Sequence, residues 1–526
     1  MEVKQLSPSS VAQELNTDTV SSSSTDNTLA DAFDVEVLAA MGYKQELRRH
    51  YSSLQIFAIA FSIMGLLPSI AATLSFSLPA GPVGMVWGWF IASGFIFVVG
   101  LAMSDLASSL PTSGGLYWWT HYFAPEEWRN PLSFLVGYSN TIGLVGGICS
   151  IDYGFALMLL SIVSVAYDGE WSASSGIVYG VFVACVVTHG ILATIAANIM
   201  HRIQSACIVA NIGLFLATVI ALPIGKSRTE FGLNSGTYVF SHQDNLTTWP
   251  TGWAFMIAWL SPIWTIGGFD SCVHMSEEAT NAPRAVPRGI LGAIAGCWFF
   301  GLISLCVIAA CINPDIEALL GTPFGQPMAQ IYYDALGKGG AIGFMVVMAT
   351  VQYFMGLSIV VAASRQSWAF ARDGALPFSG FLRVISTRFR FQPVRAVWGC
   401  AISAIILGLL SLIHPAAANA LFSLGSAGND LAWAIPILCR VVWGQHKFKP
   451  GSFYTGRFST PIAIVAVVYL SFSISLCMFP TLGPSPTVEE MNYTIVVNGT
   501  LWGGALLYYF LFAKKWFNGP KTTRNE

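Results

Sequence analysis

Charged side chains make up only 10% of the 526 residues, against about 25% in an ordinary soluble domain. So little charge excludes a chain that faces water over most of its surface. Net charge is −2 with no long basic stripe, so no nucleic-acid partner is expected. The ten Cys residues are scattered singly along apolar stretches, with no C-x-x-C pair and no Cys/His metal spacing. They read as small buried hydrophobes, and neither metal nor cofactor is expected. Also missing are G-x-S-x-G, a Walker loop, H-E-x-x-H and G-x-G-x-x-G. Their absence argues against an enzyme and against self-contained ATP-driven pumping. The first residues lack a basic start and short apolar core, so no cleaved signal peptide is read there and the first span is expected to act as the anchor.

What is there is hydrophobic: 54% of the chain. A membrane span needs roughly 20 apolar residues. Runs of that kind number twelve, near 54–78, 83–107, 131–164, 176–197, 203–225, 250–273, 289–312, 340–370, 396–414, 419–443, 460–480 and 493–516. The expected fold is an all-α membrane protein spanning residues 44–517. A polar tail at 1–43 is too poor in large apolar side chains to order itself, and a short tail follows at 518–526. With the N-terminus cytoplasmic, 22 of the 25 basic residues fall on inner segments, leaving Lys226, Arg228 and Lys338 outside. That asymmetry sets both termini inside. It places the sequon Asn245-Leu246-Thr247 on the outer face, while those at Asn492 and Asn498 crowd the last span.

Almost no soluble mass remains for a catalytic domain, so secondary transport is the leading class; a nutrient sensor built on a carrier fold is the alternative from another class. Carriers of this kind place substrate where two helices unwind near the midplane, at matching positions of two repeats. Two interruptions qualify. "SIMGLLPSIAA" sets Gly65 and Pro68 in span 1, and "SPIWTIGGFDS" sets Pro262, Gly267 and Gly268 in span 6. Spans 1 and 6 correspond in a repeat of five plus five. Intramembrane acids are expensive and therefore functional candidates. Asp152 in span 3 is the deeper candidate for a proton or cation contact. Asp430 in span 10 adjoins Asn429 and Gly428 at a further break. Asp105 and Asp270 read equally well as acids capping bent helices.

At these residues the chain resembles a family. "SDLASSLPTSGGLYWW" (104–119), "GFDSCVHMSEEATNAPRAVPRGI" (268–290) and "SRQSWAFARDGALP" (364–377) are similar to signatures of the amino acid–polyamine–organocation superfamily. "MGYKQELRRHYSSLQIFAIAFSIMGLLPSIA" (41–71) and "CSIDYGFA" (149–156) resemble its fungal branch of γ-aminobutyrate (GABA) and choline permeases. The resemblance implies a leucine-transporter-like fold, with five plus five inverted helices and two more. It also implies alternating access and a small amine or amino acid as substrate, driven by protons. Choline, polyamine and thiamine carriers share the branch. Carried over by position, the site is lined by Gly65, Leu66, Leu67, Pro68 and Ser69, and by Trp264, Thr265, Ile266, Gly267, Gly268 and Phe269. Unwound amides would meet a carboxylate, and freed carbonyls with Trp264 or Phe269 would hold the amine. Span 5 has no Lys in its apolar body, so the superfamily's lysine device for proton coupling does not carry over. The membrane, plasma or vacuolar, is left open. Glu277, Glu278, Arg284 and Arg288 after span 6, with Arg365 and Arg372 of span 8, are expected to supply an inner gate.

Overall fold

The computed structural model describes residues 34–521, apart from 48, 50, 197, 198, 390, 414, 488–490 and 492. The expected tails at 1–33 and 522–526, the sequon residue Asn492, and the basic residues Lys4, Arg48, Arg390 and Arg524 lie outside the described residues. Helix dominates. Among the described residues there is no strand, only two isolated bridges, Tyr51 with Ala279 and Ser386 with Gln392.

The first expected run is two helices, α1 (Ser53–Met64) and α2 (Leu66–Ser77), followed by α3 (Gly81–Ser109). Next come α4 (Gly115–Phe123), α5 (Arg129–Ala166), α6 (Ser175–Ile195) and α7 (Met200–Lys226). The run near 250–273 is broken into α8 (Thr251–Ile257), α9 (Leu260–Thr265) and α10 (Ser271–His274). Then follow α11 (Ala282–Cys311), α12 (Pro327–Arg372), α13 (Val394–Gly408), α14 (Pro415–Val442), α15 (Ser459–Met478) and α16 (Thr494–Leu511). Among the described residues nine stretches are long and apolar enough to cross a membrane; the first, Ser53–Ser109, contains α1 to α3. This is an integral membrane protein.

Local chemistry sets several boundaries. Ser52 and Gln55 form a reciprocal capping box at the start of α1. Ser174 caps α6 through the Ile177 amide. Inside α12 the backbone at Gly337 leaves the helix (φ 71°, ψ 178°), so residues before and after it form two rods.

Burial sorts the helices into a centre and a rim. Every residue from 58 to 71 is buried, across the junction of α1 and α2. The rim exposes bulky apolar side chains, such as Val209 on α7, Ile406 on α13 and Leu507 on α16. Aliphatic surface on so many outer helices faces lipid rather than a protein partner. The polar tail ends earlier than expected. Residues 34–40 are helical, and Leu38, Met41 and Tyr43 are buried in the core. Apolar residues spaced three apart at 38 and 41 give that segment a face to bury, which a composition average over 1–43 conceals.

Small residues let α5 and α14 touch backbone to backbone. A Cβ on Gly143 would lie 2.9 Å from the Asn429 amide nitrogen, and one on Gly146 would lie 3.2 Å from that of Gly425. Lipid tails offer helices no hydrophobic reason to associate, so such close contact is what holds them. Gly143→Leu should therefore destabilise the fold by about 1–3 kcal/mol. A lower thermal midpoint of the detergent-solubilised protein is the expected result, and an unchanged midpoint would count against this seam.

Candidate functional site

The two interrupted helices face each other. Gly65 adopts φ 60°, ψ 8° between α1 and α2, and Gly268 has φ 72° between α9 and α10. Left-handed backbone of this kind strains any residue with a Cβ. Each glycine is also crowded: a Cβ would meet Met355 Sδ at 2.5 Å from Gly65, and Ile63 Cγ2 at 2.7 Å from Gly268. Ile63 belongs to α1, so the second break packs directly on the first. Thr73 of α2 joins them again, its Oγ1 2.8 Å from Ser261 Oγ and 3.4 Å from Thr265 Oγ1.

Pro68 cannot donate to Met64, the carbonyl four residues back. The Ser69 hydroxyl donates to that oxygen instead. The second break is less complete. Among the described residues no hydrogen bond reaches the carbonyls of Thr265, Ile266 and Gly267, or leaves the amides of Gly268, Phe269 and Asp270. From 257 to 279, moreover, every residue is buried except Trp264 and Gly267. Trp264 donates to Ser150 Oγ of α5 at 3.2 Å and packs on Phe422 of α14 at 5.1 Å between centroids. Its exposed edge thus lies between helices. Phe269 differs: it is fully buried, its ring tilted against Trp433 at 4.3 Å between centroids, a packing contact. Leu66, Leu67, Pro68, Ser69, Thr265, Ile266 and Gly268 are buried around them.

The four acids have distinct surroundings. Asp152 accepts from His189 Nδ1 of α6 at 3.1 Å, both side chains being fully buried. Cys185 Sγ lies 3.8 Å from His189 Nε2. Asp152, Cys185 and His189 place one donor atom each within 4.8 Å of one another, and Asp152 Oδ1 is buried with no hydrogen-bond partner among the described residues. Asp430 accepts from Ser473 at 2.6 Å and borders a cavity of about 10 Å³ that Ile263 and Ile266 also line. That cavity adjoins the second break. Asp105 is a tie between helices, accepting from the Thr455 amide at 3.0 Å, the Thr455 hydroxyl at 2.7 Å and Ser459, with Arg440 at 3.6 Å. Asp270 meets Asn140 at 2.8 Å and His274 at 3.3 Å.

Beyond α10 the chain enters a dense charged layer. Arg372 grips Glu277 with two hydrogen bonds, 3.1 and 3.2 Å, and Arg365 Nε donates to Glu278 at 2.9 Å. All four are buried. Arg284 and Arg288 are exposed at the start of α11 and take no ion pair among the described residues. Both terminal segments close over this layer. Arg372 lies over the Tyr43 ring at 4.1 Å, Tyr43 and Tyr117 donate to Asp373, and the Lys521 amide donates to its other oxygen at 3.1 Å. Burial raises the Asp373 carboxyl above its ordinary range, against the pull of Arg372 and these donors.

Reading single residues misses the partners: His189, His274, Asn140 and Asp373. Only His274 leaves a trace, four residues after Asp270 and so on the same helical face.

In a helical membrane bundle, two facing helix breaks are the arrangement in which carriers hold substrate. Residues 51–501 match the model of the amino acid permease family. A GABA-specific permease of Saccharomyces cerevisiae is 45% identical over 495 residues, covering 94% of this chain and 86% of that protein. An uncharacterised amino-acid permease of Schizosaccharomyces pombe is 34% identical over 497 residues, 94% and 90% of the two chains. Amino-acid permease 2 of Neurospora crassa is 30% identical over 501 residues, 95% and 91%. The chain belongs to the amino acid permease family of the amino acid–polyamine–organocation superfamily. Its relatives are transporters, not enzymes.

Removing one partner of a buried ion pair strands the other charge, at about 3–5 kcal/mol. Arg372→Ala should lower unfolding stability by that order, and adding Glu277→Gln should recover a large part of it. Thermal unfolding of the single and double variants checks this; additive losses would contradict it.

Proposed function

We propose that this permease is a secondary active transporter of a small amine or amino acid, GABA-like, driven by protons and working by alternating access. The observation that carries the reading is the accessible pair Trp264 and Gly267 inside an otherwise buried run, beside peptide groups without partners. A zwitterion suits that chemistry. Its ammonium would take the free carbonyls of 265–267 and the face of Trp264, and its carboxylate the amide-rich start of α2 at 66–69. The GABA specificity of the Saccharomyces relative supports this substrate class.

The topology we infer is twelve spans. The stretch Ser53–Ser109 counts as two, and the broken α8–α10 and α14 complete the set. Spans 1–5 and 6–10 would form the inverted repeat, with both termini cytoplasmic in a plasma or vacuolar membrane. The layer of Glu277, Glu278, Arg365 and Arg372 is then the inner gate, drawn closed. Asp430, beside the cavity at the second break, is the better placed of the two acids first singled out for coupling; Asp152 of α5 is paired with His189 away from that cavity.

Uptake by purified protein in liposomes tests the function, using labelled GABA, choline, polyamines and thiamine under imposed pH or sodium gradients. GABA accumulation under an inward proton gradient is expected. Accumulation of choline alone would overturn the substrate, and no accumulation of any amine would favour a sensor. Trp264→Leu should weaken GABA binding about 5- to 30-fold, the loss of roughly 1–2 kcal/mol of cation–π contact. Unchanged affinity in the folded variant would remove Trp264 from the site.

A further inference from the structure

The geometry around Asp270 fixes how many protons its site holds. His274 Nδ1 lies 3.1 Å from the Ser113 carbonyl oxygen, which can only accept, so that nitrogen carries a hydrogen. The other ring nitrogen, Nε2, lies 3.3 Å from Asp270 Oδ2. A neutral ring protonated on Nδ1 would set its Nε2 lone pair against a carboxylate. In a site where both side chains are fully buried, that contact is repulsive unless one more proton sits on the nitrogen or on the carboxyl. The second buried Asp–His pair makes no such demand. His189 turns Nδ1 to Asp152, and its Nε2 lies by the Cys185 sulfur. A neutral ring can donate its own N–H to Asp152 Oδ2, although Asp152 Oδ1, like Asp270 Oδ1, is buried with no partner among the described residues.

The Asp270 site also lies on a line to the inner gate. Asn140 of α5 donates to Asp270 Oδ2 at 2.8 Å and to Asn429 Oδ1 of α14 at 3.2 Å. On the far side Ser113, whose carbonyl holds His274, gives its amide to Glu277 at 3.1 Å, the carboxylate that Arg372 grips. Asp270 Oδ1 and Asn140 Oδ1 are buried with no partner among the described residues. The titratable groups around the pair are Cys272 on its own turn, and Glu277 and Glu278 beyond it. Arg365 and Arg372 of α12 are each bound to one of those glutamates. α1 offers the Ile56 carbonyl, to Cys272, and α11 offers Gly289. Asp430, next to Asn429, turns away to Ser473.

We propose that Asp270 and His274 form a proton-binding site, loaded with one proton when the inner end is closed. Losing that proton puts a carboxylate against a lone pair. The strain is relieved by moving α10 away from α5, which loosens the gate through Ser113 and Glu277. The proposal rests on the reading of this end as the one that opens.

Hydrogen exchange of the full-length protein in nanodiscs tests it, following peptides that cover residues 266–281 across a pH series. After correction for intrinsic exchange rates, wild-type protection should fall as pH rises, by up to about tenfold per pH unit, the limit for one-proton linkage. Asp270→Asn removes the carboxylate and its titration and should be flat across the range. His274→Gln, which donates to the carboxylate without titrating, should be flat too and stands in if the Asn variant fails to fold. A flat wild type, or variants that follow the wild-type curve, would overturn the proton site. Amine uptake by the same wild-type preparation is read separately. Its absence alongside pH-dependent protection would overturn the transport reading and leave the proton site standing.

Discussion

A peptide group released from its helix at bilayer depth has no water to turn to, and leaving it unpaired costs several kcal/mol. The rest of the structure is arranged around that constraint. At the first break it is met from within: Pro68 withholds an amide, and Ser69 supplies a hydroxyl to the stranded Met64 carbonyl. At the second break it is met only in part, and the unpartnered groups from 265 to 270 lie beside the accessible edge of Trp264. Peptide groups left open in so dry a place are where, under the proposed function, substrate would bind. A small zwitterion carries both the donors and the acceptors to complete them.

The same low dielectric shapes the charged end. Burying Glu277, Glu278, Arg365 and Arg372 costs more desolvation than most surface ion pairs return, so these pairs are weak evidence for stability. Their strength is discrimination. A bidentate arginine holds its carboxylate in one geometry, and a small displacement leaves charges unpaired in a dry layer. Such a layer favours closed or open over anything between. Tyr43, Tyr117, Asp373 and the Lys521 amide tie the segments around 43 and 521 into this charged layer.

Much of this was legible in the sequence because it follows from one-dimensional rules. Apolar run length marks the spans, and Gly65–Pro68 and Pro262–Gly268 mark the breaks, since Gly and Pro close together weaken a helix at one place. Glu277, Glu278 and Arg365 were recognisable as charges with no place in lipid. Partnership was not legible, because it depends on which helix faces which. Arg284 and Arg288 look equivalent to Arg365 by position, yet they sit exposed on α11 while α12 points its arginines inward. His189 is an unremarkable histidine in span 4 until α5 sets Asp152 against it. Phe269 and Trp264 flank the same break, but one stacks into the core and the other keeps an open edge. The folded segment at 34–43 was hidden by the polar residues before it.

Whether the sealed end opens can be measured directly by the distance between two spin labels across it. Leu54 on the first turn of α1 and Phe378 just beyond α12 are both exposed, and the native cysteines are buried except for the half-buried Cys306. Leu54→Cys and Phe378→Cys would therefore carry the labels selectively. Pulsed electron resonance on the labelled protein in nanodiscs should give two distance populations, with a ratio that shifts when GABA is added. A single distance, unmoved by any amine or by pH, would contradict a gate at this end.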